Sequence, residues 1–138
     1  MKIQIDDTVR LFEVQEIFNA HFPYLKLEFF ELDPTKKNTF TSENLIRDQN
    51  RTIGEIRHIH TMGNLSINGQ QKVSTLENHF IQDFGVNAQV FRRSGKNWLR
   101  TTSTDEWTLT EQNHMAKEIG TSLNEKPLLE DDYYHEQS

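Results

Sequence analysis

Apolar residues in the first 32 positions follow two periods in succession. Ile3 and Ile5 alternate with polar neighbours, the period-two pattern of a strand with one buried face. Leu11, Val14, Phe18 and Phe22 then recur at helical spacing and form one buried stripe. Asp6 or Asp7 stands where it can cap the start of that helix. Pro23 stops it, because proline has no N–H and its ring clashes with the preceding turn. Tyr24 to Phe30, rich in aromatic and apolar residues, reads as a returning strand.

The same order recurs 62 positions later. With Phe22 placed on Phe84 and no gap, Ile3 falls on Leu65, Ile5 on Ile67, Leu11 on Val73, Val14 on Leu76, Phe18 on Phe80 and Phe29 on Phe91. Matching apolar character at so many positions marks a structural duplication. In the second copy Leu65 to Ile67 is the short strand, and Ser74 with Glu77 has the spacing of a capping box. Gly85 sits where a helix C-cap belongs, and Val86 to Arg93 is the returning strand. Strand, helix and strand with short connections imply a right-handed crossover and parallel pairing.

Beyond the second copy, Ser94-Gly95 lies between two β-like runs and signals a hairpin, with Lys96 to Thr102 as the added strand. Thr108 with Glu111 forms another capping box before a final helix that carries Leu109, Met115, Ala116 and Ile119 and ends at Gly120. Between the copies, Asp33-Pro34 is a turn, Lys36, Lys37 and Asn38 are exposed, and Thr52 with Glu55 caps a short helix through His60. A connection of this length without structure is unusual in a compact domain, so it either folds locally or is a mobile functional loop.

The expected organisation is one α+β domain over 1–124: repeat 1 at 1–32, linker at 33–63, repeat 2 at 64–93, extra strand and helix at 96–120. An acidic tail at 125–138 is expected to be flexible unless Leu128, Leu129, Tyr133 and Tyr134 dock it. The expected architecture is a pair of duplicated β-α-β units sharing one sheet layer, with helices mainly on one side. It is a ferredoxin-like sandwich with an added hairpin strand and C-terminal helix.

Composition narrows the classes of function. A chain of 138 residues can bury one core without staples, and its nine Phe and two Trp supply much burial per residue. The absence of cysteine excludes disulfides, thiolate chemistry and Cys-ligated zinc. Met1 to Asp7 lacks the apolar segment of a signal peptide, and no apolar run is long enough to span a bilayer. A cytoplasmic protein without a membrane partner is therefore expected. The net charge of -6 argues against general nucleic-acid binding, although a local basic patch can override it.

Such a patch is present in the hairpin. With Ser94-Gly95 as the turn, Arg93 faces Lys96, Phe91 faces Trp98 and Gln89 faces Arg100, all on one side of the sheet. An aromatic pair flanked by cations can stack bases and neutralise phosphates, and it equally suits a protein interface, where Trp, Phe and Arg are enriched. The bland alternative follows from the repeat: Phe91 matches Phe29, which shares an apolar face with Leu25 and Leu27, so Phe91 would point inward. A slip of one residue exchanges the faces.

His58 and His60 are the metal candidates, since on a strand they share a face at ligand spacing; Glu55 and His79 are further ligand candidates that the sequence does not place. Thr101 to Thr104 with Asp105 is ordinary turn chemistry without a neighbouring base. Asp6-Asp7 reads as a cap and Asp131-Asp132 as solvated tail. No glycine pattern matches a phosphate loop. No catalytic residue and no cofactor is assigned.

Phe91-Arg-Arg-Ser-Gly-Lys-Asn-Trp98, followed by Thr101 to Leu109 and Gln112-Asn113, resembles a pattern in a family of small bacterial proteins of unknown function, mainly over residues 84–113. That resemblance implies no activity. The favoured expectation is a non-enzymatic interaction or scaffold module that forms a homodimer through its sheet face or an edge strand, using Phe91, Arg93, Lys96, Trp98 and Arg100. The alternatives are a nucleic-acid-binding protein using the hairpin 89–100, and an enzyme or ligand-binding protein with a site near the 33–63 linker using His58, His60 or His79.

Overall fold

The computed structural model describes residues 1–32 and 41–121. The expected turn at Asp33-Pro34, the exposure of Lys36, Lys37 and Asn38, and the tail 125–138 with Leu128, Leu129, Asp131, Asp132, Tyr133 and Tyr134 lie outside those residues.

The chain is α+β, and a β-α-β order occurs twice: β1 (Lys2–Ile5), α1 (Leu11–His21) and β2 (Leu25–Phe30), then β3 (Gly63–Ser66), α2 (Val73–Phe84) and β4 (Asn87–Ser94). β5 (Asn97–Arg100) and α3 (Leu109–Thr121) follow. Single 3-10 turns at Ser42–Asn44, Ile53–Ile56 and Thr102–Thr104 order part of the connections. The linker thus folds locally over its described part.

The pairing differs from the expectation of parallel strands in one layer. Among the described residues there are two sheets, β1-β3 and β2-β4-β5, and every pairing is antiparallel. The single sheet of a ferredoxin-like sandwich is therefore not what these strands form. The reason lies in their faces. Ile3, Ile5 and Leu65 are buried while Lys2, Gln4, Asn64 and Ser66 are exposed. Parallel sheets need cover on both faces, whereas an antiparallel pair tolerates one wet face. Each strand accordingly finds its partner in the other unit. Ile3 stands opposite its own repeat counterpart Leu65, and Glu28 stands opposite Gln89. Both registers set corresponding positions of the two β-α-β segments opposite each other.

The stripes Leu11, Val14, Phe18 and Val73, Leu76, Phe80 enter one core with Leu25, Leu27, Phe29, Ala88 and Val90. Phe29 meets Phe80 edge to face at 6.1 Å. Along the strands the repeat offset is 61 rather than 62, because Val86, Ala88 and Val90 occupy the places of Leu25, Leu27 and Phe29. The helix ends explain the slip. After Phe22 the first copy spends Pro23 and Tyr24 before its first inward residue. After Phe84 the second reverses in one residue, Gly85, at φ 69. There Gly85 N–H donates to Ile81 and Val86 N–H to Phe80, which satisfies the helix carbonyls. A Cβ on Gly85 would lie 2.5 Å from Ile59 Cγ1. Gly85→Ala is therefore expected to cost about 1–3 kcal/mol, read as a lower urea midpoint at unchanged slope.

Local caps also differ from expectation. The N-cap of α1 is Arg10, whose N–H is taken by Glu13 at 2.8 Å, while Asp6 receives the Thr8 N–H. The Ser74–Glu77 capping box does not form: Ser74 donates to Glu106, and Glu77 reaches the next strand. Thr108 and Glu111 do form the reciprocal box, at 2.8 and 3.1 Å. Thr52 N–H donates to Glu55, but the turn it starts ends at Ile56, short of His60.

Candidate functional site

The β4–β5 turn is Gly95-Lys96, one residue later than expected, so Arg93 faces Trp98 and Phe91 faces Arg100. Gly95 takes φ 61, a conformation that Ser94 would adopt only under strain. The shift moves the pairing by two and leaves the faces unchanged. Alternation places Phe91, Arg93, Trp98 and Arg100 on the side away from Val90, together with Lys26 and Glu28 of β2. Phe91 does not join Phe29 in the central core, but it is 0% exposed, so it is no stacking platform.

Trp98 is half-buried, Arg93 and Lys96 are exposed, and Arg100 is half-buried. The Lys26 ammonium lies 4.9 Å from the Trp98 ring centre and the Arg93 guanidinium 5.5 Å. Both distances are within cation–π range, so two cations fix the indole in place. Lys26 is also held by Glu28 at 2.7 Å.

Beside Trp98 an open groove of about 440 Å³ runs between α1 and β2. The helix makes it by lying along the strand's free edge. Gln15 Nε2 donates to Leu27 O at 2.9 Å, and Asn19 Nδ2 to Leu25 O at 2.8 Å. These amides cover an edge that would otherwise invite strand pairing.

In the second copy Glu77, the repeat counterpart of Gln15, faces β4 in the same manner and accepts the Val90 N–H at 2.8 Å. Burial pushes its carboxyl up to about 8, with Asp105 adding to the rise, although part of the residue's surface is open. Thr101 donates to Val90 O at 3.0 Å, so two side chains replace the ladder where β5 ends.

The histidines are not brought together. His60 Nδ1 lies 2.9 Å from Asp7 Oδ1, His58 is exposed in the same loop, and His79 pairs with Asp83 at 2.7 Å on α2. Among the described residues no group of three or more His, Asp or Glu side chains is placed to hold a metal. Asp7 also accepts from Arg57 Nε and Nη2, at 3.2 and 2.9 Å. Hydrogen bonds from His60 and then Arg57 hold its carboxyl below the usual range.

No family model, curated protein or solved structure matches this chain. No described helix is long and apolar enough to cross a membrane.

Proposed function

We propose that the protein is a non-enzymatic interaction module that self-associates through the β4–β5 surface around Trp98. The observation that carries this reading is the half-exposed Trp98 held between Lys26 and Arg93. A large ring already fixed in place loses little freedom on binding, and Trp and Arg are the residues on which interface energy concentrates. The buried Phe91 leaves one aromatic for contact instead of two. That favours an anchor residue at a protein interface over a platform for successive bases, which uses several exposed rings.

Light scattering across concentration gives the test. The wild type is expected to rise toward the mass of a dimer, and Trp98→Ala is expected to remain near the 16.3 kDa of one chain with an unchanged far-UV spectrum. A wild type that stays monomeric at every concentration would sink the reading.

A further inference from the structure

We infer that the self-association is a reciprocal insertion: the β4–β5 turn of one copy, carrying Arg93 and Lys96, enters the groove between α1 and β2 of a second copy, and the reverse. This rests on the self-association proposed above and specifies its geometry.

The groove carries several acceptors. Three amide side chains line it, and each spends its nitrogen on a main-chain carbonyl: Gln15 on Leu27, Asn19 on Leu25, and Gln49 on Ile46 at 3.1 Å. A carbonyl oxygen can only accept, so the amide nitrogen must face it, and each amide keeps its oxygen as an acceptor beside any N–H it has left. The Gln49 oxygen is buried and has no hydrogen-bond partner. Glu16 adds a carboxylate from the exposed side of α1, and Lys26 is occupied by Glu28. An occupant that donates to the exposed acceptors, the Glu16 carboxylate first, gains more than one that does not.

The turn is the chemical complement. Arg93 and Lys96 are both exposed, and no carboxylate among the described residues is paired with either. Arg93 Nε donates to Gly95 O at 2.7 Å, which fixes the guanidinium at the turn and leaves its terminal nitrogens to donate elsewhere. A guanidinium and an ammonium offer donors and no acceptor. The donor patch and the acceptor groove adjoin the same indole, since Trp98 lines the groove and Arg93 lies over its ring. A two-fold interface between identical chains needs such adjacency, because each copy must give and receive the same contact.

The other clusters do not point outward in this way. Asp7, Arg57 and His60 satisfy one another, and Glu77 is engaged by Val90.

The test is a charge swap between two exposed positions, Glu16→Lys and Lys96→Glu, followed by sedimentation velocity on each variant and on their equimolar mixture. Each variant by itself is expected to dimerise at least tenfold more weakly, because like charges meet in both contacts. In the mixture the reversed turn of one chain meets the reversed groove of the other, and the two unaltered elements meet in the second contact. The mixture is therefore expected to form a heterodimer at close to wild-type affinity. A wild-type dimer that neither substitution weakens, or that both weaken without rescue on mixing, would overturn the insertion and leave self-association standing. A wild type that never dimerises overturns both.

Discussion

Glu77→Gln is expected to flatten the pH dependence of stability and to leave the protein several kcal/mol more stable than wild type above pH 8. In the folded chain the Glu77 carboxyl titrates at about 8, against an ordinary value of 4.5. The folded state therefore binds a proton that the unfolded chain has released. Its stabilisation is whole below about 4.5 and is lost as pH rises toward 8. At 1.36 kcal/mol for each unit, the span amounts to about 3–5 kcal/mol. The cause is geometric: the carboxyl is crowded between α2 and β4, and its backbone donor at Val90 does not repay the lost water. Glutamine keeps an oxygen for the Val90 N–H and carries no charge. Urea denaturation at pH 5, 7 and 9 decides the matter. A wild-type curve that does not fall between pH 5 and 9 would remove the argument.

Removing Arg57 is expected to be the most damaging change in the linker. Its side chain is 0% exposed, and it ties three segments together. Nη1 donates to Thr61 O at 2.8 Å and Phe84 O at 3.0 Å, while Nε and Nη2 hold Asp7. Arg57→Ala leaves the last carbonyl of α2 without its donor, empties a filled space and releases the 57–62 loop. The expected cost is about 2–4 kcal/mol, most of it from the two carbonyls rather than the ion pair, because Asp7 is half exposed. The carboxyl of Asp7 is held below its ordinary 3.8, so its share of stability is present above that value and disappears as pH falls below it. Arg57→Ala should therefore also flatten the acid limb of the stability curve. Denaturant midpoints at pH 7 and pH 3 test both effects, and a loss under about 1 kcal/mol at pH 7 would mean that the loop is held by other means.

What the sequence makes legible here is what neighbours decide. The alternation of Ile3 and Ile5, the two helical stripes and the Thr108–Glu111 cap depend on residues a few positions apart, and the structure has them. Which strand pairs with which is settled by contacts some 60 residues distant, and there the expectation of parallel pairing fails. Phe91 illustrates a smaller version of the same difficulty. One residue fewer between α2 and β4 than between α1 and β2 sends it to the opposite face from Phe29, and a gapless alignment conceals that. Glu77 has the spacing of a cap with Ser74, yet its partner is thirteen residues ahead. Gln15 and Asn19 look like the solvated face of an amphipathic helix. Their common use, facing alternate carbonyls of the next strand, leaves a trace only in their four-residue spacing.

Pairing between the two β-α-β segments governs how the molecule comes into being. Neither unit holds a complete ladder: among the described residues β1 pairs with β3 and β2 with β4, and no ladder joins β1 to β2. The first half of the chain can form its helix early, but β1 has no ladder until Gly63–Ser66 has been made and β2 none until β4 follows, so synthesis must run past residue 66 for the first ladder and past residue 92 for the second. Such long-range closure slows folding and exposes unpaired strands in the interval. On the ribosome, the first unit is a half awaiting its complement, and the chain assembles more like two subunits docking than like a string of domains maturing in turn.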